Sequence, residues 1–456
     1  MLNRRKLLAG TAGFMGLSLG RAAASQPAGL ELAALRGLRD ATELGVRPDA
    51  TDDQSKAFER MLRRAAEGDQ PLFLPPGTYV VSNIPLPARV RLSGVPGATR
   101  ILLGGAGHLM RAASADHIEL SGLTFDGGKL PMEGDAQGLL DLAAVGRLAM
   151  DDCRVAGSAG NGLRLERVAG RIERCTLSGI GDAGIWSVDA AGLTIAGNNI
   201  SDCGNGGILV HRRETGEDGT MVTGNRIARI MAKSGGTGQN GNGINAFRAG
   251  GVVVSGNVVA DCAFSAIRAN SASNLQISGN TCLRSGETGL YSEFAFEGAI
   301  ISANIVDGAA NGISIVNFNE GGRMAVCSGN IVRNMSTTGP YPAENGGFGT
   351  GISVEADTTV SGNVVENAPL SGLQLGWGPY LRNVVATGNI IRKAGTGIAV
   401  SVVEGAGATI IADNIIEDAE KGAIIGQRWA DPVTGDLAQI GNAGYRHLTV
   451  ERNRAG

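Results

Sequence analysis

A phrase built from a small residue, Gly-Asn and an apolar pair recurs along the chain. It appears at Ala196-Gly197-Asn198, Thr223-Gly224-Asn225, Ser255-Gly256-Asn257, Ser278-Gly279-Asn280, Ser328-Gly329-Asn330, Ser361-Gly362-Asn363 and Thr387-Gly388-Asn389, with relaxed copies at Ala303-Asn304 and Asp413-Asn414. Successive asparagines are 27, 32, 23, 24, 26, 33, 26 and 25 residues apart. A period in this range with variable inserts means that one structural unit is restacked many times.

Each interval holds a second marker, Gly followed by Ile or Leu: Gly184-Ile185, Gly207-Ile208, Gly243-Ile244, Gly289-Leu290, Gly312-Ile313, Gly351-Ile352, Gly372-Leu373 and Gly397-Ile398. Residues after it alternate apolar with mixed, as in Ile352-Ser353-Val354-Glu355, which is strand periodicity. Two short strands per repeat are expected, and no run between them could hold a helix. Leucine-rich repeats and propeller blades do not fit this period or strand count. The expected fold is all-β, a single-stranded right-handed parallel β-helix in which like residues stack about 4.8 Å apart. An inward asparagine at a bend can then bond the amides of the coils above and below it. The preceding glycine supplies the backbone freedom of the turn. The 72 glycines lack a three-residue period, so they are bend residues and not collagen. A solenoid is one continuous array, so 456 residues do not imply several domains.

The formal charge is −3, and without the four basic residues of the first 24 it is −7, with lysine and arginine scattered. That balance disfavours nucleic acid and anionic membrane surfaces as partners. The start, Arg4-Arg5-Lys6, a weakly apolar Gly-rich stretch and Arg21-Ala22-Ala23-Ala24, reads as an export signal over 1–24 of the twin-arginine type. This implies the twin-arginine translocase as a partner during export and a periplasmic or secreted location. The apolar run is too short and too Gly-rich for a stable membrane span. Six cysteines invite a disulfide framework, but their placement suits core positions. Cys153 and Cys175 occupy the position that Asn198 holds one coil later, near enough to bridge or to stack as thiols. Cys203 and Cys262 are two coils apart, about 10 Å, too far to bridge. No cofactor motif and no metal-ligand spacing is visible.

A linker over 25–43 precedes Thr51-Asp52-Asp53, which opens an amphipathic helix with Ala57, Phe58, Met61, Leu62 and Ala65 on one face. A helix laid over the open solenoid end would cover its core and strand edges. The stretch from Leu44-Gly45-Val46 through Asp49 and Thr51-Asp52-Asp53 to Pro75-Pro76-Gly77-Thr78-Tyr79 resembles the N-terminal cap and first coil of the pectate-lyase-like (pectin-lyase-like) β-helix superfamily. That superfamily includes polysaccharide lyases, polygalacturonases, uronate epimerases and phage tailspikes. With its leader and repeats, the whole chain resembles the uncharacterised family of twin-arginine-translocated repeat proteins. The resemblance implies a fold and a compartment, and no reaction. The implied organisation is an N-terminal cap and first coils over 44–100, repeats over 101–426 and a C-terminal cap over 427–456.

The superfamily's catalytic signatures are mostly missing. Polygalacturonases carry Asn-Thr-Asp, a paired Asp-Asp and Gly-His-Gly. Here the adjacent carboxylates are Asp52-Asp53 and Asp151-Asp152, and no Gly-His-Gly occurs. Alginate epimerases carry Asp-Pro-His, whereas Asp431-Pro432 is followed by Val433. The four histidines exclude histidine-rich mechanisms.

Outward positions of the second strand, taken coil by coil, are Trp186, Leu209 and His211, Asn245 and Phe247, Arg268 and Asn270, Tyr291 and Glu293, Ser314 and Val316, Ser353 and Glu355, and Gln374. Arg212, Arg248, Phe294, Asn317, Asn319 and Glu320 flank this strip. Rings to stack on sugar faces and arginines to pair with carboxylates suit an extended, acidic polysaccharide or oligosaccharide; solvation of the sheet is the alternative. For β-elimination, Arg268 or His211 would act as base or clamp beside Tyr291. For hydrolysis, Glu293 and Glu355 lie about 10 Å apart at the backbone, nearer the inverting separation. The missing acid pair favours lyase or epimerase chemistry, and a non-catalytic cell-envelope scaffold holding glycan or protein is the alternative. Two long inserts, 233–242 and 337–349, either wall a groove or are tolerated surface excursions. No apolar stripe for side-to-side association stands out.

Overall fold

The computed structural model describes residues 37–316, 322–343 and 346–456. The leader and most of the linker lie outside the described residues. The chain winds into about fourteen turns of a parallel β-solenoid. Each turn carries three strands where two were expected, so three parallel sheets surround the core. Sheet I contains the strands before the asparagines, such as Leu193–Ala196, Met221–Thr223 and Val253–Ser255. Sheet II follows the asparagine, as in Asn199–Cys203, Arg226–Ile230 and Val258–Cys262. Sheet III begins at the Gly-Ile marker, as in Ala183–Val188, Gly206–Glu217 and Asn242–Gly250.

The residue before each asparagine separates sheets I and II because it is left-handed, with φ of 63° at Gly197, Gly224 and Gly256 and 55° at Ala303. That bend turns the asparagine inward. Asn257 donates to the Val222 carbonyl at 2.9 Å and to Asn280 Oδ1 at 3.0 Å, while its own Oδ1 accepts from the backbone and side chain of Asn225 at 2.9 and 3.0 Å. The same pattern joins Asn198, Asn225, Asn257, Asn280, Asn304, Asn330, Asn363, Asn389 and Asn414. It continues to Asn453, which the repeat pattern does not reveal. At the other end Asn198 Oδ1 accepts from the Cys175 amide at 2.9 Å, and the position is taken over by Cys175 and Cys153.

Inside, like residues stack on like in each sheet. In sheet III Ile185 pairs in register with Ile208, then Ile244, Ile267 and Leu290. All six cysteines are buried and unbridged, and burial pushes the thiols of Cys203, Cys282 and Cys327 up to about 12. The helix Ser55–Glu67 buries Phe58, Met61, Leu62 and Ala65 over the N-terminal end. At the far end the hairpin of Ile424–Arg428 and Asp431–Asp436 closes sheet III, and the chain then returns through Leu448–Glu451 to sheet I. Among the described residues no helix is long and apolar enough to cross a membrane. The rod's side does carry an apolar stripe, since Ile305, Ile331, Val364, Ile390 and Ile415 are exposed and in register along sheet II.

Asn257→Ala would strand several buried polar groups in a dry core, and we expect it to cost about 3 kcal/mol or more. Asn453→Ala, at the half-buried end of the ladder, should cost about 1 kcal/mol. Denaturant midpoints of the two variants check this; equal losses would contradict a ladder whose interior rungs matter most.

Candidate functional site

The outward residues of sheet III form two columns. In the first, Arg164, Trp186, Leu209, Asn245, Arg268, Tyr291, Ser314, Ser353 and Gln374 follow one another in register. In the second, Val188, His211, Phe247, Asn270, Glu293 and Val316 do so, and Glu355 is the next outward residue. Nine rungs make a face about 38 Å long.

Loops at the corners turn this face into a groove. Among the described residues three cavities lie along it. The first, about 290 Å³, is bounded by Arg164, Trp186, His211, Arg212 and Phe247. The second, about 350 Å³, shares His211 and Phe247 and adds Asn245, Arg268, Asn270 and the 237–239 segment. The third, about 310 Å³, lies over Tyr291, Ser314, Ser353, Glu355 and Gln374, walled by Tyr341, Phe348 and Trp377. Both long inserts therefore contribute walls. Tyr341 packs 5.5 Å from Phe348 and 6.3 Å from Phe264, ring to ring.

Between the second and third cavities sits Arg268, whose side chain is 12% exposed. Its Nε donates to Glu293 Oε1 at 2.7 Å and its Nη2 lies 2.6 Å from the same oxygen. Asn270 also donates to Glu293 Oε1, at 3.1 Å. The guanidinium lies 5.0 Å from the Tyr291 ring centroid, and its Nη1 is 3.8 Å from Glu287 Oε2. Glu287 accepts from the Ser265 hydroxyl at 2.9 Å and from the Tyr341 hydroxyl at 2.7 Å. A Cβ on Gly238, where φ is +129°, would lie 1.6 Å from Arg268 Nη1, so this loop closes on the guanidinium only as glycine.

The sequence matches the family described as the right handed β-helix region over residues 137–321 and 213–380, more than half of the chain. The chain belongs to that family. No curated protein sequence matches it. This β-helix protein is similar in fold to the pre-mature bacteriophage phi29 gene product 12, at 14% identity over 87% of this chain and 58% of that one, with a TM-score of 0.55. The N-terminal fragment of the same phage protein matches at 14% identity over 91% of this chain and 66% of that one, with a TM-score of 0.46, so this chain spans less than two thirds of either phage structure. The mannuronan C-5 epimerase AlgE6 A-module of Azotobacter vinelandii matches at 13% identity over 91% of this chain and 99% of that one, with a TM-score of 0.45.

Charge and burial set what the groove residues can do. Burial raises the Glu293 carboxyl above its ordinary range, against the pull of Arg268. Burial likewise raises the Tyr291 phenol. Burial works against the charge of Arg268 too, but Glu293 and Glu287 hold it as a cation, which leaves it the role of clamp and not of base. His211 accepts from the Trp186 indole at Nδ1 at 3.4 Å, meets the Phe247 ring edge-on at 5.7 Å, and burial pushes it down to about 4. It lies three rungs from Glu293, about 14 Å, so the two cannot act on one bond.

Arg248 stands at the corner with its guanidinium 4.9 Å from the Phe247 ring centroid and bonded to the Arg213 carbonyl at 2.6 Å. Phe294 is 37% exposed at the same corner two coils on, with φ of 61°, and lines none of the three cavities. Asn317, Asn319 and Glu320 lie outside the described residues. Glu287 and Tyr341 belong to the central cluster and escaped the strip pattern because they come from corners and not from strand positions. A carboxylate two residues before a Gly-Leu marker was the available signal for Glu287.

Folded His211 stays neutral down to about 4, whereas the unfolded chain takes up that proton near 6.5. The stability it carries is complete above about 6.5 and is lost as pH falls toward 4. We expect an imidazole NMR midpoint near 4 and a stability gap between wild type and His211→Gln that narrows over this window; a midpoint near 6.5 would contradict it.

Proposed function

We propose that this β-helix protein holds an extended saccharide chain along the outward face of sheet III and hydrolyses a glycosidic bond between Glu293 and Glu355. The observation that carries the reading is a pair of buried carboxyl groups in the outward columns of sheet III, both 2% exposed and two rungs apart, of which Glu355 lines the third cavity and Glu293 sits against Arg268. Two rungs are about 10 Å at the backbone, which suits an acid and a base that admit a water between them. Glu293, pushed up by burial, is suited to be the acid, with Oε1 held by Arg268 and Asn270 and Oε2 outside those bonds. Glu355 lines the third cavity and takes the base role. Tyr291, Tyr341, Phe348 and Trp377 supply ring faces and edges for sugar. Lyase or epimerase chemistry fits less well, because Arg268 is held charged by two carboxylates and His211 is remote from Glu293.

A second reading, a glycan-holding scaffold without catalysis, draws on the ion pair that ties Arg268 to Glu293 Oε1. We further propose that the protein works outside the cytoplasm, carried there folded through the leader at 1–24. Six buried thiols without a disulfide suit a chain that folds in a reducing compartment before export.

Purified protein incubated with neutral and acidic polysaccharides should release reducing ends. Glu293→Gln and Glu355→Gln should each slow release by ~10²–10⁴-fold while leaving retention on the polysaccharide intact. Retention without product would leave the scaffold reading, and unsaturated ends would replace hydrolysis by elimination.

A further inference from the structure

The first cavity, at the end of the groove remote from Glu355, has an unbalanced charge. Two of its arginines, Arg164 and Arg213, and the neighbouring Arg167 are neutralised. Arg164 pairs with Asp141 at 3.1 Å and with Glu166, Arg167 pairs with Glu166, and Arg213 pairs with Glu166 at 3.0 Å and Asp189 at 2.8 Å. Arg212 enters no ion pair and donates no hydrogen bond among the described residues, and its buried Nε has no acceptor. Asp218 feels the Arg212 charge without contacting it, and its Oδ2 is itself unpartnered. Arg248 also lacks a carboxylate, being spent on the Arg213 carbonyl and the Phe247 ring. The His211 Nε2 is buried without a partner. With Nδ1 accepting from Trp186, Nε2 carries the ring's proton and is a donor.

Unpaired donors in a walled cavity are costly unless something accepts from them. Most charged positions along this solenoid are matched rung to rung, as at Arg229–Asp202 and Arg284–Asp261, so an unmatched arginine facing a cavity is a departure from the chain's own pattern. The Trp186 and Phe247 rings flank the donors and offer apolar faces for a sugar ring.

We propose that Arg212, with the His211 Nε2–H beside it, forms an anion subsite that takes a negatively charged substituent of the glycan, a uronate carboxylate or a sulfate ester. The inference rests on the groove reading and narrows it to acidic chains. The charged sugar sits about three rungs, ~14 Å, from Glu293, so charge is read away from the bond that is cut. A guanidinium suits either anion because its planar fork donates two parallel bonds.

Trp186 reports on the subsite through its indole N–H. In ¹⁵N-tryptophan-labelled full-length protein, with the Trp186 signal assigned by Trp186→Phe, glucuronate, galacturonate and sodium sulfate are titrated against glucose as the neutral control. We expect saturable shifts of the Trp186 signal with at least one anion and none with glucose. Preference for the uronates identifies a carboxylate, and preference for sulfate identifies a sulfate ester. Arg212→Gln should weaken binding at least about tenfold, the worth of a charge-assisted bond. Arg212→Lys should be intermediate, and Arg229→Gln on sheet II should change nothing. No shift with any anion, or shifts equal in wild type and Arg212→Gln, would overturn the subsite. Retention of neutral polysaccharide alone would do the same while leaving the groove reading standing.

Discussion

The amide ladder is the interaction on which everything else in this molecule depends. Each interior asparagine closes four hydrogen bonds inside a core that has no water to substitute for them, and each rung is made by the rung beyond it. The corner between sheets I and II is therefore the least variable point of every coil. The spread of 23 to 33 residues between asparagines is taken up at the other two corners. The inserts that wall the groove lie between sheets II and III, and the 212–217 excursion leaves from the far edge of sheet III. Sheet III faces the cavities because its two corners are the ones free to grow.

At the N-terminal coils the ladder gives way to Cys175 and Cys153. Neither thiol can replace an amide that donates twice and accepts twice. The Cys153 thiol donates to backbone carbonyls at 3.3 and 3.5 Å, while the Cys175 amide still has Asn198 Oδ1 to bond. The first coils depend more on apolar filling, from Phe125 and the large side chains under the cap helix. Polar order and apolar bulk are thus exchanged along one rod without a change of winding.

Most of this architecture was legible because a buried asparagine after a left-handed residue has few other reasons to recur. Asn453 escaped notice because Arg452 holds the left-handed position that glycine advertises elsewhere, with φ of 51°. The third sheet escaped because an asparagine bend within a short apolar run resembles one strand with a break. Alternation alone was enough to order the groove floor, from Trp186 to Gln374, because side chains on a strand have only two directions. Pairing was not legible. That Arg268 belongs to Glu293 follows from their diagonal positions on neighbouring rungs. That it also meets Glu287, beneath Tyr341 and Gly238, follows from the paths of two loops, which length and composition do not determine.

Those loop paths decide the chemistry at the centre. Glu293 and Glu287 face one guanidinium in a nearly dry setting, so full ionisation would bury one negative charge more than Arg268 can balance. Glu287 already accepts from the Ser265 and Tyr341 hydroxyls, one on each oxygen. Glu293 has Arg268 and Asn270 on a single oxygen and is the member that burial pushes toward its proton. The strip of outward residues thereby holds one carboxyl group that burial shifts toward its protonated form, beside a cation that pulls the other way.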